Sequence, residues 1–282
     1  MDSRLKNILA IMTEKEQALL HSVLVRAKEG GDNLTEFSII HNSLKINVDN
    51  LHAMKELAGP ITAPPLLKEY DAKEKILLSH NYLPLSEPLS SVLQNRESKR
   101  VYSGEELTLQ ELSTLLHFSY GVRGYMSAYN MDQFPLRMAP SSGGLQGIEL
   151  YLVVNRVEGI KKGLYHYNPF DNNIELLEEG NFRRKIVNVC TTYEFVNDAS
   201  VVLILSCVIS RVLSKYKIRS YRFIHEDVGF VGENFYLVGT ALGLGVCAIA
   251  GFIDDKADEL LRINGKDEFV SLVMTVGTIL DK

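Results

Sequence analysis

The hydrophobic positions of the chain follow two different periods along its length. In residues 2–28 and 35–57, apolar residues recur every three or four positions, which predicts two amphipathic helices. Further along, the apolar runs IELYLVV, ASVVLILSCV and DEFVSLVMTVGTI predict buried strands. The proline-rich stretch AGPITAPP lies between the two kinds of pattern. We therefore predict a helical N-terminal region over residues 1–88, a candidate for binding a peptide or a partner, and a main domain over residues 89–282.

Capping and turn signals refine the elements of the main domain. Thr108 and Glu111 form a capping-box pattern, and the apolar positions after them predict a helix that ends at Gly121. The segment GLYHYNPFDNNIELL predicts two strands joined by a turn rich in Asn, Pro and Asp. The segment HEDVGFVGENFYLVGTALGLGV predicts a helix whose internal glycines indicate close packing against its backbone. Helices that alternate with strands and hairpins predict an α+β fold.

Composition narrows the function classes. A chain of 282 residues with 46% hydrophobic content supports a packed core, and a net charge of −5 without a dominant basic run argues against nucleic acid as a partner. The three widely spaced cysteines predict reduced, buried thiols, and the scattered histidines predict no metal site. Charged residues interrupt the apolar positions at the N-terminus, and no uncharged apolar window reaches about 18 residues. We therefore expect a soluble, cytoplasmic protein without a membrane segment.

Three short segments carry residues suited to chemistry. NRESKR, residues 95–100, can bind a phosphate through its cations, although a solvated basic turn is the simpler interpretation of this segment alone. PSSGG, residues 140–144, suits a flat or phosphorylated ligand and an ordinary turn about equally well. LSKYKIRSYRF, residues 213–223, is predicted to be a loop. A lysine there that loses solvation near other cations has a lowered pKa and can act as a base, whereas a solvated charged loop is the usual interpretation.

Five segments in order resemble the flavin-dependent nitroreductase superfamily, and within it the SagB-type (McbC-like) azoline dehydrogenases. They are NRESKRVYSGEELTLQELSTLLHFSYGVRG, APSSGGLQGIELYLVVNRVEGIKKGLYHYNP, KYKIRSYRF, GENFYLVGTALGLGVCAIAGF and LVMTVG, and they cover roughly residues 93–277. The resemblance implies a nitroreductase-like fold, with a mixed and mainly antiparallel sheet flanked by helices. It also implies a homodimer that binds FMN at the subunit interface.

The resemblance further implies a role for individual residues. Those expected to hold the FMN phosphate are Arg96, Ser98 and Arg100. Those expected to lie along the isoalloxazine ring are Pro140, Ser141, Ser142 and Gly143 on one side, and Ala248, Ile249, Ala250 and Gly251 on the other. Lys215 and Tyr216 match the Lys-Tyr pair that is associated with azoline oxidation in this subfamily.

The implied activity is an FMN-dependent oxidation of thiazoline or oxazoline rings to azoles in a ribosomally made peptide, beside a cyclodehydratase. This oxidation removes a proton and a hydride from adjacent carbons. Lys215 would take the proton, Tyr216 would orient or relay it, and the flavin would take the hydride. Two alternatives stay open: an NAD(P)H-dependent nitroreductase or quinone reductase, and a non-catalytic scaffold of a peptide-modifying complex.

Overall fold

The structure is a computed structural model, and it describes residues 65–280 except 73 and 192, together with residues 38, 41, 42, 44 and 45. The helix predicted over residues 2–28 lies outside the described residues. Of the helix predicted over residues 35–57, five positions are described: 38, 41 and 42 are helical, whereas 44 and 45 are not. The chain divides into two compact units, Met1–Leu57 and Ala58–Lys282.

A seven-stranded sheet forms the centre of the second unit. The strands among the described residues are β1 (Lys75–Leu77), β2 (Val122–Ala128), β3 (Met131–Arg137), β4 (Ile148–Val154), β5 (Gly163–Asn168), β6 (Asn173–Glu179), β7 (Val201–Val208), β8 (Leu244–Ile249) and β9 (Glu268–Thr278). The sheet has the order β1-β6-β5-β4-β7-β9-β8, and its neighbouring strands are antiparallel. A parallel bridge joins Ser98 to Val246 in β8. The predicted mixed, mainly antiparallel sheet is therefore confirmed.

Helices cover both faces of this sheet. They are α1 (Leu89–Asn95), α2 (Leu109–Tyr120), α3 (Arg183–Val189), α4 (Ile209–Tyr216), α5 (Ser220–Ala241) and α6 (Asp254–Leu261). Because side chains alternate along a strand, Leu150 and Leu152 of β4 pack into a core with α2 and α5. Tyr151 and Val153 point the other way, into a second core with α3 and α6.

The local predictions for the main domain are largely confirmed. Thr108 and Glu111 form the reciprocal capping box of α2, and Gly121 caps its end. The strands predicted from IELYLVV, GLYHYNPFDNNIELL and ASVVLILSCV correspond to β4, the β5–β6 hairpin and β7. The predicted close packing against the glycines of α5 is confirmed at Gly239, where an added Cβ would lie 2.4 Å from a methyl group of Val246. It is not found at Gly229, where no described atom lies within 4 Å of an added Cβ.

Two features differ from the sequence predictions. The segment predicted as a loop over residues 213–223 contains the last turn of α4, a short 3₁₀ turn and the start of α5. It is helical because α4 buries one face, with Arg211 and Val212 inside. The sequence analysis also missed the β2–β3 hairpin, whose turn residues Tyr129 and Asn130 have φ values of 51° and 60°. Positive φ at both positions is the conformation of a type I′ hairpin turn.

All three cysteines are buried and unpaired, as the sequence predicts. Within the described residues, no helix combines the length and the apolar character that crossing a membrane would require.

Candidate active site

Tyr236 joins two of the predicted segments into what we call the Arg96 cluster: Arg96, Ser98, Tyr236 and Ala248. The Tyr236 hydroxyl lies 2.8 Å from Ser98 Oγ and accepts a hydrogen bond of 2.7 Å from the Ala248 amide. The Arg96 guanidinium lies over the Tyr236 ring, 5.2 Å from its centroid. The segments 95–100 and 248–251 are thus held together by one residue of α5.

A cavity of about 650 Å³ lies beside this cluster. Its wall includes Ser98, Lys99 and Arg100 of the basic segment. Glu97, the acidic residue within the segment, forms an ion pair with Lys99. The side chain of Arg100 donates to the carbonyl of Ser98 over 3.4 Å. Cations and a hydroxyl beside an open cavity are suited to an anionic group such as a phosphate.

A second group, the Lys215 cluster, consists of Tyr129, Gly143, Lys215 and Tyr216. Lys215 Nζ donates to the Tyr129 hydroxyl over 2.9 Å, and the Tyr129 hydroxyl donates to the Gly143 carbonyl. An added Cβ at Gly143 would lie 2.6 Å from the Tyr216 hydroxyl and 3.0 Å from Lys215 Nζ, and the φ of Gly143 is 62°. The small residues of PSSGG therefore let three functional groups from two distant elements approach the backbone closely.

Asp227 of α5 anchors the same loop from the other side. Its carboxylate accepts hydrogen bonds from the Ser142 amide, at 2.9 and 3.0 Å, and from Ser142 Oγ at 2.8 Å. The side chain is 1% exposed, and burial raises the pKa of Asp227 to about 6, against the opposing hydrogen bonds from Ser142. A buried carboxylate thus fixes the position of the PSSGG loop on α5.

The electrostatics of Lys215 differ from the sequence-based expectation. The hydrogen bond to Tyr129 raises the pKa of Lys215 above its ordinary value, and this effect outweighs partial burial, which lowers it. The expectation of a lowered pKa is therefore wrong for this arrangement, because the nearest groups are tyrosine hydroxyls and not other cations. Lys215 is an ammonium group near neutral pH.

The remaining predicted residues line the edges of these groups. Pro140 and Ser141 lie with Gly143 and Lys215 on the wall of a second cavity of about 510 Å³. The Ile249 side chain is buried in the second core, so only its backbone is available to a ligand. Ala250 and Gly251 are exposed, and the Gly251 carbonyl accepts from Thr191 Oγ1 over 3.1 Å.

Three residues that organise these clusters were not predicted from the sequence: Tyr129, Asp227 and Tyr236. Tyr129 stands in the hairpin turn, where the Tyr-Asn pair was the available signal. Asp227 lies on the buried face of α5 with Ile224 and Val228, and an aspartate at an apolar position of a helix is a signal of function or of a buried partner. Tyr236 carries no comparable signal, since a tyrosine on a buried helix face is ordinary core.

Comparison with known proteins identifies the family. The model of the nitroreductase family matches residues 93–278, about the range of the five segments. The chain belongs to the nitroreductase family. Its members are oxidoreductases that typically use a flavin, FMN in particular.

Two relatives illustrate the range of this nitroreductase family. A protein of Methanocaldococcus jannaschii that is named as a nitroreductase is 33% identical over 189 residues, which cover 67% of this chain and 90% of the relative. The trifolitoxin-processing protein TfxB of Rhizobium leguminosarum bv. trifolii is 26% identical over 213 residues, which cover 68% of this chain and 54% of TfxB.

Solved structures agree on the nitroreductase fold. A crystal structure of an Anabaena variabilis protein, a nitroreductase by name, has a TM-score of 0.61 and 32% identity, covering 73% of this chain and 42% of that one. The Escherichia coli microcin synthetase McbBCD complex with truncated pro-MccB17 contains a chain with a TM-score of 0.55 and 20% identity. That match covers 86% of this chain and 98% of the other, and it shows the fold alone.

Proposed function

We propose that this protein is an FMN-dependent oxidoreductase that dehydrogenates thiazoline or oxazoline rings to azoles in a ribosomally synthesised, modified peptide. The observation that carries the proposal is the convergence of Lys215 and Tyr216 on the Gly143 backbone. In the proposal, these two side chains are the proton-transfer groups, and the loop beside them contacts the flat ring of the flavin. The similarity to TfxB, a peptide-processing protein by name, supports a peptide as the substrate.

The residues present fit FMN in two respects. The cavity beside the Arg96 cluster offers Ser98, Lys99 and Arg100 to a phosphate. The PSSGG loop lacks a Cβ at Gly143, where one would collide with the groups of the Lys215 cluster, so those groups lie beside the backbone that is proposed to contact the ring. In the proposal, Arg96, Ser98 and Arg100 hold the phosphate. The segments 140–143 and 248–251 lie on opposite sides of the ring, in a homodimer that binds FMN between its subunits.

The protein's own groups would handle the proton. FMN, held by these segments, would supply the hydride acceptor, so one proton would remain to be removed from the adjacent carbon of the azoline. Lys215 Nζ takes this proton as the base, and the Tyr216 hydroxyl orients or relays it. Because the hydrogen bond to Tyr129 raises the pKa of Lys215, the base form grows as pH rises. The rate of oxidation should therefore increase with pH.

A second candidate is an NAD(P)H-dependent nitroreductase or quinone reductase. It is favoured by the relative of Methanocaldococcus jannaschii, which has the higher identity of the two relatives described. Fast NAD(P)H consumption with a nitro compound or quinone, without any oxidation of azoline peptides, would support this candidate.

The test uses the purified protein loaded with FMN and a peptide that carries one thiazoline. Lys215→Ala should keep FMN and lose oxidation, because the base acts on the substrate. The matched control is Lys217→Ala, since Lys217 is two residues further on and its Nζ donates to the Ser214 carbonyl over 3.2 Å instead of to Tyr129. Flavin release after denaturation measures cofactor content, and the loss of two hydrogen atoms by mass measures the product.

Arg96→Ala tests the cofactor part of the proposal separately. Losing a charge-assisted phosphate contact worth about 1.5 to 3 kcal/mol should weaken FMN binding about ten- to hundredfold. Normal turnover by Lys215→Ala would refute the base assignment, and unchanged FMN affinity of Arg96→Ala would refute the phosphate assignment. A wild-type protein that cannot be loaded with FMN would instead support the non-catalytic scaffold.

A further inference from the structure

Arg137, at the end of β3, is a buried cation without an acidic partner among the described residues. It is 3% exposed, and its guanidinium lies between two aromatic rings, 4.7 Å from the centroid of Tyr120 and 4.9 Å from that of Phe170. Among the described residues, the one hydrogen bond of the guanidinium is a long one of 3.5 Å from Nη1 to the Tyr120 carbonyl. Its Nε is buried without a partner. A guanidinium removed from water is costly unless an anion compensates its charge.

The cavity that Arg137 faces has the matching electrostatics. This cavity of about 510 Å³ is lined by three cationic residues, Arg123, Arg137 and Lys215, and none of its described lining residues is acidic. Phe134, Leu136 and Met126 supply an apolar wall. Such a pocket suits a ligand that combines a carboxylate with an apolar body.

Gln146 adds a complementary polar group to the same wall. It is 3% exposed, and its Oε1 is a buried acceptor without a partner in the described chain. An N–H donor of a ligand would satisfy it, whereas a simple anion would not. The free groups therefore match a peptide, which offers amide N–H groups together with a carboxylate.

We propose that this cavity binds a carboxylate-bearing part of the peptide substrate, with Arg137 contacting the carboxylate and Gln146 accepting a peptide N–H. The inference rests on the proposed function, because it names a feature of that substrate. The carboxylate comes from an acidic side chain or from the C-terminus of the peptide, and both sources offer the same chemistry to Arg137.

Binding to the FMN-loaded protein tests the site without any turnover. The probes are acetyl-Gly-Glu amide, acetyl-Gly-Gln with a free C-terminal carboxylate, and the neutral acetyl-Gly-Gln amide, measured by calorimetry. We expect at least one acidic probe to bind tenfold or more tightly than the neutral one, and the tighter acid identifies the source. Arg137→Met should abolish this difference and Arg137→Lys should keep part of it. Arg184→Met, at a side chain that is 81% exposed, should keep all of it.

Thermal unfolding of the same variants separates a ligand site from a structural ion pair. Removing an uncompensated charge should leave the melting temperature of Arg137→Met equal to or above that of the wild type. A lower melting temperature or failure to fold would show that Arg137 has a structural role, through its ring contacts or an anion supplied by the chain, and would overturn the proposal. So would equal binding of acidic and neutral probes, or loss of FMN from Arg137→Met, which would assign the cation to the cofactor. Because no arm needs azoline oxidation, failure of the proposed function would not alter these readings.

Discussion

Two buried arginines border the PSSGG loop, and they differ in the groups that surround their guanidinium. Arg211 and Arg137 are both 3% exposed. Arg211 forms an ion pair with Glu149 and donates to the Gln146 carbonyl over 2.9 Å. Glu149 also accepts from His166 at 2.8 Å, and the other ring nitrogen of His166 lies 3.2 Å from Glu175. Arg137 has aromatic rings and one distant carbonyl instead.

The difference separates a structural charge from one that is available to a ligand. Burial opposes ionisation of Glu149, but the hydrogen bond from His166 and the charge of Arg211 outweigh it and hold the pKa of Glu149 below its usual value. Arg211 lies one turn before Lys215 on α4, so its bonds fix that helix against the loop. Arg137 lines the cavity itself, where a ligand can supply the missing charge.

The largest expected effect comes from applying one substitution to both arginines. Arg211→Met should lower the free energy of unfolding by about 3 to 5 kcal/mol, because it leaves Glu149 without its cation in the interior. Arg137→Met should not lower it. Urea unfolding of both variants measures the contrast, with Arg262→Met as the control, since the Arg262 side chain is 76% exposed in its pair with Glu178 and should matter by about 1 kcal/mol or less. An equal loss of unfolding free energy in Arg211→Met and Arg137→Met would show that the two arginines do not differ in their structural role.

The next effect concerns the anchor of the loop at Asp227. Burial raises its pKa from 3.8 to about 6, so the folded state binds a proton more tightly than the unfolded state. Stability linked to this group is present below about pH 4 and is lost as pH rises to about 6, by about 3 kcal/mol in total. The Asp227→Asn variant should not lose this stability as pH rises, because an asparagine side chain does not titrate. The difference in unfolding free energy between wild type and variant should therefore shift by most of that amount, about 2.4 kcal/mol, between pH 4 and pH 7.

Chemical denaturation of the two proteins across this pH range makes the measurement, and contributions from other groups cancel in the difference. A difference that stays constant with pH would contradict the raised pKa of Asp227. A loss of loop order in the variant is expected as well, because an amide oxygen accepts fewer hydrogen bonds from Ser142 than a carboxylate does.

The smallest effect is a shift in the pH profile of the proposed reaction. Tyr129→Phe removes the hydrogen bond that raises the pKa of Lys215. The rising limb of kcat/KM against pH should therefore move to lower pH, while stability changes by about 0.5 to 1.5 kcal/mol. Tyr125→Phe is the matched control in the same hairpin, because Tyr125 is 52% exposed. An unmoved limb in Tyr129→Phe would mean that Tyr129 does not control the proton on Lys215.

Local sequence patterns predicted the helices and strands around this site better than the side-chain contacts within it. The capping box at Thr108 and the strand IELYLVV are encoded by neighbouring residues, and both were found. The proximity of Lys215 to PSSGG followed only from the resemblance, since 72 residues separate Lys215 from Gly143. Tyr129, which links the two, was missed because its hairpin was not predicted.

The pairing of the buried charges could not be predicted from local sequence patterns either. Nothing in the sequence near Arg137 or Arg211 shows which of them has an acidic partner. Arg211 has one because Glu149 of β4 lies beside its side chain. Register between distant strands and helices decides such pairings, and no periodicity within one segment reports it.

The most direct test of the central claim is anaerobic mixing of the FMN-loaded protein with a thiazoline peptide, followed by the flavin absorbance and the mass of the peptide. The account predicts that the flavin becomes reduced as the peptide loses two hydrogen atoms, and that Lys215→Ala abolishes both changes. A flavin that stays oxidised with the peptide, but is reduced at once by NAD(P)H, would contradict the account and would assign the protein to the reduction of small molecules.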